Sequence, residues 1–394
     1  MKCLSFDIAK GKSVVGLFDS EMNVIVSPHE IAHSKSSFER IARLVEKDEI
    51  EIILESTSTY HYPVVRYFEN LGFRVIVINP LISKDHKRSL RKTKTDKIDC
   101  ENLASIYFEK KYNQQRHHDH TYLEMQDISR HIHNLNECIV RYKNRYHQLL
   151  ELVFPSFEYQ MPNDKKFASN MLHFIAVFPH PDLIINTRID KLANTLSIDS
   201  HSSYKRFLKT ADKIKNLALD SISSVDVNDS LVFHLKELAT IIYELTVKIN
   251  ASKDSLVALA KSKSHFNLIC SINGISPYMT ALLMAELKDF TQFKSVKQLT
   301  ASCGLDPTII QSGKSINYHG PISKRGNRHA RKALFNSIIN ILKYSARLNE
   351  HDPIYLYYRK KRSEGKHHYA SVIACTTKLL RIIFTMCKNN SLYA

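Results

Sequence analysis

The first eighty residues alternate between short strand-like and helical runs, in an order that few folds accept. Lys2–Ile8 (KCLSFDI) and Ser13–Phe18 (SVVGLF) are β-type runs joined through Gly11, and Asn23–Val26 extends them into an antiparallel meander. Apolar residues then recur at helical spacing over Ser36–Glu46, through Phe38, Ile41, Ala42 and Leu44. Glu51–Leu54 is a compact apolar strand and Tyr60–Leu71 a helix. Phe73–Ile78 (FRVIVI) is a buried-type strand, stopped by Asn79-Pro80.

This order reads as an α/β RNase H-like (RuvC-like) N-terminal domain over residues 1–115, and four acids occupy matched positions in it. Asp7 ends the first strand among apolar neighbours, where an unpaired carboxylate is expensive. Glu55 ends the next central strand, after Ile52-Ile53-Leu54. Asp96 and Asp99 are three apart, so a helix opening at this segment puts them on one face. Taken singly, Asp7 could cap a turn, Glu55 could begin a loop, and Asp96 could be a helix N-cap with Asp99 adding to the dipole. Taken together, in this order, they point to a hard oxygen cage for Mg²⁺. Two such ions about 3.5–4 Å apart can clamp the attacking and leaving oxygens of a phosphodiester. Leading up to and into the last two acids runs a dense basic stretch, Lys84, Lys87, Arg88, Arg91, Lys92, Lys94 and Lys97, suited to leading a nucleic-acid backbone to the metal.

Charge agrees with that substrate class. The 394 residues carry 56 Lys+Arg against 39 Asp+Glu, a formal net charge of +17, and a surplus of this size calls for a polyanionic partner. Seven cysteines stand singly with no CxxC pair, as in a reducing cytoplasm, which excludes a disulfide framework or zinc ribbon. No signal peptide is visible and no apolar run approaches the ~20 residues that span a bilayer. A soluble, cytoplasmic, nucleoid-associated protein is expected.

Residues 116–262 read as a helical coiled-coil region. Ile128, Ile132, Leu135, Ile139, Tyr142, Tyr146 and Leu149 alternate at spacings of four and three, as do Leu235, Leu238, Ile242, Leu245 and Ile249. The polar stretch of about 155–230 between them reads as short helices forming an insertion. Residues 263–394 read as a mainly α C-terminal domain, in which Ile272-Asn273-Gly274-Ile275-Ser276-Pro277 has the shape of a helix-hairpin-helix. The tail carries Arg359-Lys360-Lys361-Arg362, a pattern often found on a solvated face.

At the four acids the chain resembles a known family. Phe6-Asp7-Ile8-Ala9-Lys10, Glu55-Ser56-Thr57-Ser58-Thr59-Tyr60, Ile78-Asn79-Pro80 and Lys94-Thr95-Asp96-Lys97-Ile98-Asp99 are similar to the signatures of DEDD transposases of the IS-one-ten type. These are insertion-sequence enzymes related to the Piv DNA invertases and also called bridge recombinases. The family usually has Gly where Ser58 stands and often Ala at Ser56. Further on, Asn273-Gly274-Ile275-Ser276-Pro277 is similar to the family's PGIGP segment, and Cys303-Gly304-Leu305-Asp306-Pro307 with Gln311-Ser312-Gly313-Lys314 to its GLTP…SG segment. Ile322-Ser323-Lys324-Arg325-Gly326-Asn327 with Arg331-Lys332-Ala333-Leu334 is similar to its SKxGN…RRAL segment. The resemblance covers most of 1–115 and 265–385, while the insertion at 155–230 is long for the family.

The resemblance implies a transposase or site-specific recombinase with a Mg²⁺-binding DEDD site and a serine nucleophile, Ser312 by motif position. The family commonly has an acid where Gln311 stands, and Ser323, set among cations, is the competing nucleophile. It also implies a guide: members pair a non-coding RNA with donor and target DNA, delegating sequence recognition to base pairing. Arg130, Arg141, Lys143 and Arg145 on the first long helix, and Lys324, Arg325, Arg328 and Arg331 beyond it, fit backbone contacts. A dimer or tetramer is expected. Two rival readings remain at this stage: a RuvC-like nuclease hydrolysing branched DNA with no covalent step, and a non-catalytic nucleic-acid-binding protein.

Overall fold

The computed structural model describes residues 2–45, 50–80, 83, 96–109, 120–198, 203–312 and 316–393. The chain divides into two compact units, Met1–His117 and His118–Ala394.

In the first unit, β1 (Lys2–Ala9), β2 (Lys12–Asp19), β3 (Val24–Ala32), β4 (Ile50–Glu55) and β5 (Arg74–Ile78) form one sheet in the order β3-β2-β1-β4-β5. β1 pairs antiparallel with β2 and β2 with β3, whereas β1–β4 and β4–β5 are parallel. Parallel neighbours need crossovers, and α1 (Lys35–Arg43) and α2 (Tyr62–Asn70) provide them. This is the mixed sheet expected of an RNase H-like fold. Side chains alternate across a strand, so the two faces of the sheet bury different residues. Leu4, Phe6, Ile52 and Leu54 pack with Phe38, Ile41, Val64 and Phe68 of α1 and α2. Cys3, Ile53, Ile76 and Ile78 pack with Cys100, Leu103, Ala104 and Tyr107 of α3 (Asp96–Phe108). β3 runs six residues further than its apolar start suggests, because it is the sheet edge. There a proline, Pro28, is tolerated without breaking a ladder.

The second unit is built on two long helices, α4 (His120–Val153) and α11 (Ser230–Lys261). Between them lie α5 (Pro155–Gln160), α6 (Asn163–Lys166), α7 (Ser169–Val177), α8 (Pro181–Ile185), α9 (Ile189–Ser197) and α10 (Tyr204–Leu219). The chain continues through α12 (Phe266–Cys270), α13 (Pro277–Leu287), α14 (Val296–Ser302), β6 (Pro307–Ser312), β7 (Ile316–Ile322), α15 (Arg328–Leu348), α16 (Pro353–Ser363) and α17 (His368–Asn389). α4 and α11 pack along each other within the chain, and Ile132, Ile139, Tyr146, Leu235, Ile242 and Ile249 of the heptad pattern are buried. The coiled-coil expectation needs correction. α7 and α13 also pack on α11, and α13 on α4, so the apolar surface is wider than a two-helix seam and Tyr142 is left exposed. A single core cluster runs from Tyr122 to Cys387.

Two further expectations change. The mainly α region contains an antiparallel β6–β7 pair, with Ile310 opposite Tyr318 and Ser312 opposite Ile316. And α17 is, by length and composition, apolar enough to cross a membrane, although no unbroken apolar run exists in it. Its cations and hydroxyls are spread among apolar residues, and half of its apolar stretch is buried in the unit's own core.

Candidate functional site

Strand alternation decides which way the N-terminal acids face. Cys3 and Ile53 lie on the α3 side of the sheet, so Asp7 and Glu55, each an even number of residues further along, share that side. Asp7 follows Phe6 and Glu55 follows Leu54, which are register partners in the parallel β1–β4 pair. α3 brings Asp96 and Asp99 in its first turn, where carboxylates favour the positive end of the helix. α3 is tied down through Cys100, whose Sγ lies 2.9 Å from Ser5 Oγ of β1. Burial pushes the Cys100 thiol up to about 12, so it is a packing group and not a thiolate ligand.

The result is a pocket of about 260 Å³ lined by all four acids, Asp7, Glu55, Asp96 and Asp99, together with Lys12, Glu30 and Thr57. Asp99 is buried, Asp7 and Glu55 are half-buried, and Asp96 is exposed. Ser83 Oγ donates to the Glu55 carboxylate and, at 3.0 Å, to the Pro80 carbonyl. Among the described residues no three carboxylate, imidazole or thiolate groups form a ready-made ligand set. Carboxylates around a solvent-facing pocket still suit Mg²⁺, which keeps several waters and uses only a few protein oxygens beside substrate phosphates. The sequence reading missed Lys12 and Glu30. They form an ion pair of 2.6 Å at the pocket, and the Glu30 carboxylate first, with Asp96 adding to it, raises the Lys12 ammonium above its ordinary range. Charged residues on strands near a sheet edge look like ordinary solvent contacts, and only the β2–β3 register brings this pair to the acids.

In the second unit Ser312 is the last residue of β6, and its side chain, like Gln311, lies outside the described side chains. Ser323 follows β7. Its Oγ donates to Asp306 Oδ1 at 2.8 Å and accepts from the Arg325 amide at 3.3 Å, and its amide donates to the Asp306 carbonyl at 2.8 Å. Ser323 is thus occupied in shaping the turn that presents Lys324 and Arg325, both exposed. That turn rests on two glycines in contact. A Cβ on Gly326 would stand 2.5 Å from the Gly304 amide nitrogen, and Gly304 itself has φ +61°.

Asn327 then caps α15, accepting from the His329 and Ala330 amides, and donates to Glu286 Oε2 at 2.8 Å. Glu286 is a buried carboxylate that also accepts from Ser129 of α4 at 2.9 Å. No feature of the sequence beyond an acid closing the apolar run of α13 signals this clamp.

The expected nucleic-acid contacts divide three ways. Arg141, Arg145, Lys324, Arg325 and Arg328 are exposed. Arg331 donates to the Cys303 and Gly326 carbonyls, and Lys143 lies 4.5 Å over the Phe167 ring, so both serve the fold as well. Lys84, Lys87, Arg88, Arg91, Lys92 and Lys94 lie outside the described residues. The helix-hairpin-helix segment is present as α12, a turn at Gly274 and α13, but its glycine is spent on packing. A Cβ there would sit 2.8 Å from Ile341 Cα of α15, and the Met279 amide is already capped by Ser276.

The first unit thus combines an RNase H-like sheet with a pocket lined by four acids, and the second unit is mostly helical. Comparison with known proteins narrows this. Residues 4–155 match a family model of DEDD transposases described as "Transposase", and residues 266–352 match "Transposase IS116/IS110/IS902 family". The chain belongs to the IS110-type transposase family. It is 23% identical over 267 residues to the 43.6 kDa protein of insertion element IS110 from Streptomyces coelicolor, covering 61% of this chain and 63% of that protein. It is 22% identical to the 44.8 kDa protein of IS116 from Streptomyces clavuligerus, covering 64% and 61%. It is 25% identical to the 42 kDa protein of IS900 from Mycobacterium paratuberculosis, covering 48% and 47%. In each case the match spans less than two thirds of the relative's length.

Proposed function

We propose that this chain cleaves and rejoins DNA strands of a mobile element in the cytoplasm, with the acid pocket and Ser312 acting on the scissile phosphate. The observation that carries the reading is that Asp7, Glu55, Asp96 and Asp99, four acids far apart in sequence, line one pocket. Asp7, Glu55, Asp96 and Asp99 would hold Mg²⁺, which when bound neutralises charge at a phosphodiester and lowers the pKa of an attacking hydroxyl. The Ser312 hydroxyl forms a bond to phosphorus as the bond to a deoxyribose oxygen breaks, and that oxygen leaves as a hydroxyl once protonated. The phosphoserine link keeps the bond energy for resealing, when a strand hydroxyl attacks the same phosphorus and releases the serine. Ser323 serves the basic turn, in keeping with its bond to Asp306.

Lys324, Arg325, Arg328, Arg141 and Arg145 would neutralise phosphates of DNA and of a non-coding guide RNA, in an oligomer of this chain. With recognition left to base pairing, such contacts need only follow the backbone.

A denaturing gel of the protein with end-labelled element DNA tests the chemistry. The wild type forms a protein–DNA adduct and exchanged strands. Ser312→Ala gives neither, Ser323→Ala keeps the adduct, and Asp7→Asn loses cleavage at least about 100-fold while still binding DNA. Adduct in Ser312→Ala moves the nucleophile elsewhere; free hydroxyl ends with no adduct in the wild type favour the hydrolytic nuclease.

A further inference from the structure

The C-terminal helical pair carries a charge that neither the acid pocket nor the serine hairpin uses. From Pro353 to Asn389 there are eight Lys or Arg (359, 360, 361, 362, 366, 378, 381, 388) and one acid, Glu364, so this stretch holds seven of the chain's seventeen excess positive charges. Four tyrosines, Tyr355, Tyr357, Tyr358 and Tyr369, are interleaved with them.

α17 divides these residues by its own period. Val372, Cys375, Leu379, Leu380 and Ile383 are buried against the rest of the unit. Ala374, Thr377, Lys378, Arg381, Ile382 and Thr385 recur at three and four residues on the other side, where they line a groove of about 540 Å³ with Tyr357 of α16.

The groove is assembled, not incidental. Lys378 Nζ donates to the Pro353 carbonyl at 2.6 Å and sits 4.9 Å from the Tyr357 ring centre, and Lys361 Nζ lies 5.3 Å from the same ring. Two ammonium groups are therefore drawn to one aromatic, with exposed Arg381 beside them and Glu364 held by Lys361 at 2.8 Å. Like charges brought together at a concave surface repel unless an anion offsets them. Two hydroxyls at the groove wall add donors for phosphate oxygens.

We propose that the α16–α17 groove is a second nucleic-acid seat, taking the phosphodiester backbone of a single strand through Lys378, Arg381, Thr377 and Thr385, with the Arg359–Arg362 run continuing the track. Single-stranded nucleic acid suits a basic groove with an aromatic wall better than a duplex does, since its unstacked bases are free to lie against the ring. A lipid surface fits less well, because Val372, Cys375, Leu379, Leu380 and Ile383 of α17 are buried in the core and Lys378, Arg381, Thr377 and Thr385 interrupt the apolar lining of the groove. The inference rests on the proposed function only in taking a nucleic acid as the polyanion.

Binding of a fluorescent single-stranded oligonucleotide of mixed sequence to the full-length protein, followed by anisotropy across a salt series, decides it. Lys378→Gln/Arg381→Gln should bind about tenfold more weakly near 0.1 M salt, and the slope of log affinity against log salt should shrink by about 0.7 for each cation removed. Arg381→Gln alone should give half the slope change, and it keeps the test readable if loss of the Lys378–Pro353 bond unfolds the double variant. Lys209→Gln, an exposed cation of α10 outside both sites, should leave both quantities unchanged. An unaltered slope in the folded variants overturns the proposal, as does an effect seen only with phosphatidylserine vesicles. Because no cleavage is measured, failure of the strand-exchange reading would show in the adduct assay and leave these slopes interpretable.

Discussion

Ser58 shows how one position records a compromise. It has φ +47°, in the left-handed region, within the loop that leaves β4 after Glu55. A side chain in this region is strained by about 1–2 kcal/mol, because Cβ crowds the backbone, and glycine escapes that strain. Glycine gives back about 0.5–1 kcal/mol through its greater freedom when unfolded. The difference is small and positive, so this backbone conformation favours glycine over serine. Ser58→Gly should therefore stabilise the first unit by up to about 1 kcal/mol, whereas Ser58→Val, branched at Cβ, should destabilise it by about 1–2 kcal/mol. Thermal melts of the two variants beside wild type check the order; a valine variant as stable as the glycine one would show that the loop relaxes away from this conformation.

Among the elements, the turn between β7 and α15 is the most constrained. Gly326 has no room for a methyl group: the atoms a Cβ would meet are the Gly304 nitrogen and the Ser302 carbonyl oxygen, both at 2.5 Å and both backbone, so nothing can swing aside. Gly365, after α16, has a positive φ but open space around it. Gly326→Ala should cost about 2–3 kcal/mol by overpacking and displace Lys324 and Arg325, while Gly365→Ala should cost only about 1 kcal/mol of backbone strain. Chemical denaturation of both separates the two effects, and equal losses would contradict the close contact. This contrast also shows what the sequence could reveal. The strands and the four acids were legible because period-two burial and chain order are local patterns, and Asp7 and Glu55 inherit their side of the sheet from Cys3 and Ile53. The β6–β7 pair was not, because the apolar stretches of Pro307–Ile322 on either side of Ser312-Gly313 are short and broken by polar residues. Lys12–Glu30 and Glu286–Asn327 were illegible for a different reason: each joins residues whose proximity is set only by tertiary packing.

Across the whole molecule, acid should weaken the fold through histidines held neutral in both units. Burial lowers His33 and His61 in the first unit below the usual histidine range, with the Thr57 and Ser58 backbone opposing it at His61. In the second unit burial again lowers His329; His133, Arg130 and Arg328 add to this and Glu286 opposes it. For each, the native state resists a proton that the unfolded chain accepts near pH 6.5. Between the lowered native value and about 6.5 the unfolded state therefore binds more protons, and stability rises with pH across that window. Their stabilisation is present in full above about pH 6.5 and is lost as the pH falls through the native values. The chain's excess of positive charge acts in the same direction, since protonating further groups adds to self-repulsion. Calorimetric melts of the full-length protein at pH 7.5, 6.5 and 5.5 should thus show a falling Tm. His33→Gln should flatten the trend, because its glutamine cannot titrate and can still bond Ser13, whose hydroxyl lies 2.6 Å from the His33 ring. A Tm that rises towards pH 5.5, or a His33→Gln protein with the full wild-type dependence, would show that these imidazoles are not the groups that acid finds.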